Sequence, residues 1–191
     1  MLIDTHINVH GEDYANDLDS VLDAARDAGV SPMIAICCRL HEFEQVAAIA
    51  EKHDDVYCTI GAHPHHAKDR PDITADELLD IARHPKVVAI GETGLDFHYN
   101  YSPAEDQYPS LRAHIEAARR ADLPIILHCR DADQQMAELL EDEMIDFSNL
   151  GISELISPEI LTSKEINMVI NRAQFTDPFE FDDGALITLG L

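Results

Sequence analysis

Histidines and acidic residues stand where four short apolar runs of this 191-residue sequence end. The endings are Asp4-Thr-His6, Gly61-Ala-His63-Pro-His65-His66, Gly91-Glu92-Thr-Gly94-Leu-Asp96 and His128-Cys-Arg130-Asp131. In parallel α/β folds, functional side chains lie at the carboxyl ends of strands, where the loops begin. Imidazole and carboxylate groups that meet at such an edge suit Zn²⁺, Mn²⁺ or Mg²⁺. The pattern therefore predicts a divalent metal site that makes hydroxide available and neutralises an anionic substrate oxygen.

The elements that would position these groups alternate regularly along residues 1–142. The apolar runs are Leu2–Ile7, Pro32–Cys37, Val56–Ala62, Val87–Ile90 and Pro124–Leu127. Stretches with helical periodicity lie between them, and this alternation predicts a parallel sheet with crossover helices. The sheet is either open and doubly wound or part of a (β/α)8 barrel. Residues 143–191 are too few for three more units of about 30 residues, so we predict an incomplete TIM-barrel-like α/β fold with about five clear βα units.

Helix start signals occur at Thr74-Ala-Asp-Glu77, at Ser102-Pro-Ala-Glu105 and at Thr162-Ser-Lys-Glu165. All three are typical of capping boxes, and the second has proline at the first helical position. Pro109 lacks a backbone donor and is expected to bend or interrupt the helix that follows. Several histidines on predicted helices are expected at the surface: His41, His53, His84 and His114.

Residues 143–191 differ from the rest of the chain. Leu150–Ile156 is a short apolar stretch, Ser163–Arg172 has a helical pattern, and Ala185–Leu189 has the composition of a strand. We expect residues 1–142 to form the barrel portion. Residues 143–191 are expected to be a diverged tail, either part of the same domain or loosely packed.

The composition narrows the class of protein. Thirteen Lys and Arg residues against 37 Asp and Glu residues give a net charge of −24, which repels the nucleic-acid backbone and favours a soluble acidic surface. No apolar run approaches the ~20 residues of a membrane span, and no signal peptide is visible, so we expect a cytoplasmic protein without a membrane partner. The cysteines have neither metal-site spacing nor the density of a disulfide framework: Cys37, Cys38, Cys58 and Cys129.

The strand-end motifs resemble the TatD family of metal-dependent deoxyribonucleases. The resemblance runs collinearly from residue 1 to about 142 and includes the Ser102…Gln107 segment as well as the four endings. It implies an amidohydrolase-type (β/α)8 barrel that hydrolyses phosphodiester bonds with a metal-activated water, often from the 3′ end of DNA. DNA or a small phosphodiester is therefore the expected substrate. We expect one or two ions of Mg²⁺, Mn²⁺ or Zn²⁺.

Residue roles follow from the same resemblance. It implies that the metal ligands are His6, Glu92 and His128, with Asn8 at a position where the family has histidine. It implies that substrate phosphate meets His63, His65 and Arg130. The candidate catalytic residues are Glu92, which would bridge two metals, and Asp177.

Three departures from the family pattern leave an alternative open. Asn8 offers an amide oxygen, a poorer zinc ligand than imidazole. No histidine follows His128, and the late Glu-Thr-Asp-x-Pro motif is reduced to Thr176-Asp177-Pro178. The alternative is a catalytically impaired or truncated family member that acts as a non-enzymatic binding protein. An open sheet edge left by missing strands would favour self-association. A different amidohydrolase-type reaction is disfavoured, since no lysine stands at a strand end.

Overall fold

A computed structural model describes residues 2–143, 178–181 and 186–189. The chain divides into two compact units, Met1–Ile145 and Asp146–Leu191, and each is described by itself. The first unit carries the predicted alternation of strands and helices.

The first unit contains one parallel sheet with the strand order β1-β2-β3-β4-β5. Its strands are β1 (Leu2–Ile7), β2 (Val30–Ala35), β3 (Val56–Ile60), β4 (Val87–Asp96) and β5 (Ile125–Arg130). The helices are α1 (Leu18–Asp27), α2 (Phe43–Lys52), α3 (Ala75–Ala82), α4 (Ala104–Ala121) and α5 (Asp133–Asp142). Short 3₁₀ turns occupy Glu12–Tyr14, Leu40–Glu42 and Pro64–Asp69. The prediction of an incomplete barrel with five βα units is therefore confirmed.

Burial is greatest in the middle of the sheet. All residues of β3 and β4 are buried or half-buried, because these strands have neighbours on both sides and helices packed against them. Leu22 of α1, Val46 of α2 and Leu78 of α3 are buried in the same hydrophobic core. By contrast, β1 is an outer strand of this sheet, and its Leu2 and Ile3 are 66% and 56% exposed.

Strand β4 is longer than the predicted run Val87–Ile90 and extends to Asp96. Two of its glycines have positive φ angles, +133° at Gly91 and +151° at Gly94. A Cβ atom at Gly94 would overlap the carbonyl oxygen of His128, and one at Gly91 would lie 2.5 Å from the carbonyl oxygen of Ile126. The glycines therefore let β4 approach β5 closely, which brings the polar ends of the two strands together.

The helix signals have mixed outcomes. Thr74 caps α3 as predicted, because its side chain accepts a hydrogen bond from the Glu77 amide at 3.3 Å. The second predicted capping box is wrong: α4 begins at Ala104, and the Ser102 hydroxyl donates instead to the His65 carbonyl oxygen at 2.8 Å. Helix α4 also continues through Pro109. Its packing against β4 and α3 compensates for the single backbone hydrogen bond that proline removes.

The described part of the second unit is an antiparallel pair, β6 (Pro178–Phe181) and β7 (Leu186–Leu189). Strand β7 confirms the expectation for Ala185–Leu189. The expectations for Leu150–Ile156, the Thr162–Glu165 capping box, Ser163–Arg172 and the candidate catalytic Asp177 concern residues outside the described ranges. Within those ranges, no helix is both long enough and apolar enough to cross a membrane.

Candidate metal centre

Three predicted site residues bring nitrogen and oxygen donors together at the carboxyl edge of β3, β4 and β5. Glu92 Oε1 lies 3.3 Å from His128 Nδ1 and 3.8 Å from His63 Nε2. The two imidazole nitrogens are 3.2 Å apart. Around a tetrahedral Zn²⁺ with bonds near 2.1 Å, neighbouring ligand atoms lie about 3.4 Å from one another. The donor types and their spacing therefore fit a divalent ion held by His63, Glu92 and His128.

The other oxygen of Glu92 faces β1. His6 Nε2 lies 3.3 Å from Glu92 Oε2, so that Glu92 stands between the histidine of β1 and the two histidines near β3 and β5. A carboxylate with a donor atom beside each oxygen is suited to bridging two ions. His6 is less enclosed than its partner, since its side chain is 41% exposed and that of Glu92 is 11% exposed.

A second group shares His128. His65 Nε2 and His128 Nε2 lie 2.8 Å and 2.9 Å from Asp96 Oδ2. The donor atoms of these three residues are close enough together to hold a metal ion. Without a second ion, the same geometry lets Asp96 orient the His128 ring, because a carboxylate bound to one ring nitrogen fixes the lone pair on the other.

Sequence reasoning gave no role to Asp96, although it ends the same motif as Glu92. Residues four apart in a strand lie on the same face, so the position of Asp96 in the continued strand β4 carries the missing signal. The signal is visible only once the strand is known to continue through the glycines.

Hydrogen bonds hold Asp96 firmly in place. The backbone amides of His98 and Tyr99 donate to its Oδ1 at 3.1 Å and 3.0 Å. The buried Gln107 side chain accepts from the Asp96 amide at 2.8 Å and donates to the Asp96 carbonyl oxygen at 3.0 Å. Gln107 also donates to the Ser102 carbonyl oxygen at 2.7 Å. The Ser102…Gln107 segment therefore braces the end of β4 and the loop that follows it.

The electrostatics of the cluster favour ionised carboxylates. Burial alone would raise the pKa of Glu92, but hydrogen bonds from His128 and His6 outweigh it and hold this pKa far below its usual range. Burial likewise opposes ionisation of Asp96, yet the Tyr99 amide, His65 and His128 lower its pKa to about 2. Burial lowers the pKa of His63 to about 4, so this imidazole is neutral near pH 7 and has a lone pair available for a metal.

His114 supports the loop that carries His63. It is fully buried, contrary to the surface position expected from the sequence. Its Nε2 accepts from the Ala62 amide at 3.0 Å and its Nδ1 lies 2.7 Å from the Ser110 carbonyl oxygen. These contacts require a neutral ring protonated on Nδ1, and burial lowers its pKa to about 4.

The remaining residues of the strand-end motifs are members of neither donor group. The exposed Asn8 accepts from Cys38 Sγ at 3.8 Å and belongs to neither group. Arg130 ends β5, and its guanidinium carbon lies 5.3 Å from the centre of the Tyr99 ring. His66 also belongs to neither group, and its Nε2 accepts from Arg39 Nε at 3.1 Å.

A parallel α/β sheet with imidazoles and carboxylates gathered at its carboxyl edge is the arrangement of barrel-type metal-dependent hydrolases. The comparison with protein families places the chain within this class. Residues 3–151 match the model described as TatD related DNase, and the chain belongs to this family. Family membership and the two donor groups agree in indicating metal dependence.

Individual relatives agree with the family match. The chain is 39% identical over 142 residues to the 3′-5′ ssDNA/RNA exonuclease TatD of Erwinia tasmaniensis and 34% identical over 140 residues to that of Escherichia coli. Each match covers 73% of this chain and 54% of the relative. The chain therefore spans about half the length of these curated relatives.

Solved structures show the same partial coverage. The TatD homolog YJJV of Escherichia coli is similar with a TM-score of 0.64 and 32% identity over 74% of this chain and 55% of that protein. A TatD family hydrolase of Entamoeba histolytica has a TM-score of 0.67 and 28% identity over 74% and 54%. Both similarities support assignment of the five βα units to a TIM-barrel-like fold.

Proposed function

We propose that this protein is a divalent-metal-dependent nuclease that hydrolyses phosphodiester bonds in single-stranded DNA. The observation that carries the proposal is the spacing of the His63, Glu92 and His128 donor atoms, which is that of ligands around one ion. The names of the relatives, 3′-5′ ssDNA/RNA exonucleases, support the choice of substrate and leave RNA as a second nucleic acid to test.

The proposed metal ligands are side chains of the first unit. We propose that His63, Glu92 and His128 hold one ion and that His6 and Asn8 contribute to a neighbouring position beside β1. A bound Mg²⁺, Mn²⁺ or Zn²⁺ at this edge lowers the pKa of a water molecule and neutralises charge on a phosphoryl oxygen. Glu92 is ionised at neutral pH because its histidine partners lower its pKa, so it needs no proton release before it binds a cation.

Substrate phosphate is proposed to lie at the carboxyl ends of β4 and β5. Arg130 ends β5 two residues after His128, and His65 is a member of the second donor group. A guanidinium binds phosphate with several donors at once. The family resemblance implies that His63 also contacts phosphate. Its position within ligand distance of Glu92 and His128 makes metal binding the better-supported role.

Further expectations from the sequence stay predictions. Asp177 is retained as a candidate catalytic residue, and residues 1–142 are proposed as the hydrolase portion, with 143–191 as the tail. A cytoplasmic location and self-association through a sheet edge are proposed on the composition and on the exposure of β1.

The proposal is tested with chelator-treated protein, Mn²⁺ or Mg²⁺, and 5′-labelled single-stranded DNA. We expect nucleotide release that requires the added metal. Glu92→Gln is expected to reduce the rate by more than about 100-fold, a larger loss than is typical of residues outside the coordination sphere. Glu51→Gln is the matched control. It removes the same charge from an exposed glutamate that pairs with His84.

Each alternative outcome is informative. DNA hydrolysis that persists in chelator, or that Glu92→Gln leaves unchanged, contradicts a metal mechanism at this site. Stable oligonucleotide binding with no hydrolysis under any metal supports the non-enzymatic binding protein instead.

A further inference from the structure

Two exposed tyrosines form an offset aromatic stack beside the candidate metal centre. Tyr99 and Tyr101 are 47% and 56% exposed. Their rings are parallel within 5°, and the ring centres are 5.3 Å apart. We call this pair the aromatic platform. A contiguous exposed aromatic patch at the edge of a functional site is typical of a ligand-binding surface.

The loop that carries the platform is ordered by the site itself. The Tyr99 amide donates to Asp96 Oδ1, while Asp96 Oδ2 faces His65 and His128. Asn100 has a positive φ of 52°, and its side chain donates to the Phe97 carbonyl oxygen at 3.2 Å. This turn between the two tyrosines lets one ring stack on the other. One carboxylate therefore fixes both the platform and the donor group.

The platform is in direct contact with the site. The His65 ring meets Tyr101 edge-to-face with ring centres 4.8 Å apart and Tyr99 with centres 5.6 Å apart. On the β5 side, the Arg130 guanidinium lies over the Tyr99 ring. A cation and a partly exposed aromatic stack next to an imidazole–carboxylate cluster match a nucleotide, which has a flat base joined to an anionic phosphate.

The negative net charge of the protein makes stacking on this surface more important for nucleic-acid binding. With a net charge of −24, the chain as a whole repels a phosphate backbone and cannot rely on counterion release for affinity. Base–aromatic stacking needs no net positive charge, and it tolerates any base because every base has a π-face.

We propose that the aromatic platform binds unpaired bases of a single-stranded nucleic acid by stacking, next to the phosphate that reaches the metal centre. This inference deepens the proposed function and rests on it. The pair selects for single strands, because the bases of a duplex are already stacked on one another and their faces are not available.

The test measures binding without hydrolysis. Fluorescence anisotropy of a labelled oligothymidylate is followed with chelator present and about 0.3 M salt, which screens the repulsion between protein and DNA. Tyr101→Ala and Tyr99→Ala are each expected to weaken binding about tenfold, and Tyr101→Phe to retain it, because the ring and not the hydroxyl makes the contact. Tyr57→Ala is the control, since Tyr57 lies near the start of β3, under the Lys86 ammonium group.

A fully abasic strand of equal length keeps the charges and removes the bases. The wild-type protein is expected to bind it about tenfold more weakly or worse, with no further loss in Tyr101→Ala. The comparison of the two strands on the wild-type protein needs no variant, so misfolding of a variant does not weaken that part of the test. Equal binding of the two strands, or an equal loss in Tyr101→Ala on both, overturns the proposal. Equal binding would also favour a protein, rather than a nucleic acid, as the ligand of the platform.

The outcome is separable from that of the nuclease assay. Base-dependent binding with no metal-dependent hydrolysis supports the platform and contradicts the proposed activity. Metal-dependent hydrolysis with base-independent binding supports the activity and contradicts the platform.

Discussion

The two sides of the candidate metal centre are built differently. On the side of β3, β4 and β5, the donor residues are largely enclosed and joined by a continuous network that ends in buried Gln107 and His114. On the side of β1, His6 is 41% exposed and contacts Glu92, while Asn8 lies in neither donor group. Preorganised ligands lose less freedom when an ion binds. We therefore expect the enclosed side to contribute most of the metal affinity and the β1 side to contribute less.

The largest effect is expected from a substitution at Gly94, where β4 lies directly against β5. Gly94→Ala would place a Cβ atom against the His128 carbonyl oxygen at a φ of +151°, so β4 and β5 would have to separate. We expect a loss of more than about 3 kcal/mol in the free energy of unfolding, measured by urea denaturation. Gly11→Ala is the matched control, because nothing lies within 4 Å of a Cβ atom there. Equal stabilities of the two variants would contradict the close approach of the strands.

A pH titration tests the support that α4 gives to the His63 loop. His114 has a pKa of about 4 when buried, against 6.5 in an unfolded chain. Between these values the unfolded state binds the extra proton, so the free energy of unfolding falls as the pH falls from 6.5 to 4 and levels below that. The contribution of His114 to this fall is about 3 kcal/mol.

The variant His114→Gln isolates that contribution. Its amide oxygen can still accept from the Ala62 amide but does not titrate, so we expect a flatter dependence of stability on pH. The exposed His41→Gln is expected to retain the slope of the wild-type protein. An unchanged slope in His114→Gln would show that this ring is not held neutral.

Asp96→Asn sharpens the comparison with a smaller effect. Asparagine keeps an oxygen for the His98 and Tyr99 amides but loses the charge that orients His128. We expect metal affinity to fall by about 10- to 100-fold, as for other residues that hold a ligand in position. Asp80→Asn removes a charge from an exposed pair with Arg83 and should leave Mn²⁺ affinity unaltered in calorimetry. Wild-type affinity in Asp96→Asn would exclude the positioning role.

Much of the fold follows from patterns that depend only on neighbouring residues. Apolar runs of strand length and helical periodicity are local, so the five βα units and the Thr74 cap are predictable from the sequence. The extension of β4 is not, because its end is rich in glycine and polar residues that are rare in strands. Only the approach of β5, seen in the structure, explains why Gly91 and Gly94 occur within a strand.

Most members of the site are predictable from the sequence, apart from Asp96, but the geometry of the site is not. Strand-end position identifies His6, Glu92 and His128 as neighbours, because parallel strands end at one edge. It does not separate metal ligands from phosphate contacts, since that distinction depends on distances between loops. His63 therefore lies in a donor group although phosphate binding was expected of it. His114 was expected at the surface because a polar residue on a helix usually faces water, whereas here both ring nitrogens have buried partners.

Calorimetric binding of Mn²⁺ to the chelator-treated protein tests most directly whether the enclosed side holds the ion. We expect stoichiometric binding by the wild-type protein, a loss of more than about 100-fold in affinity in His128→Ala, and a loss of only about tenfold in His6→Ala. Absence of stoichiometric binding, or a His6→Ala loss as large as that of His128→Ala, would contradict it.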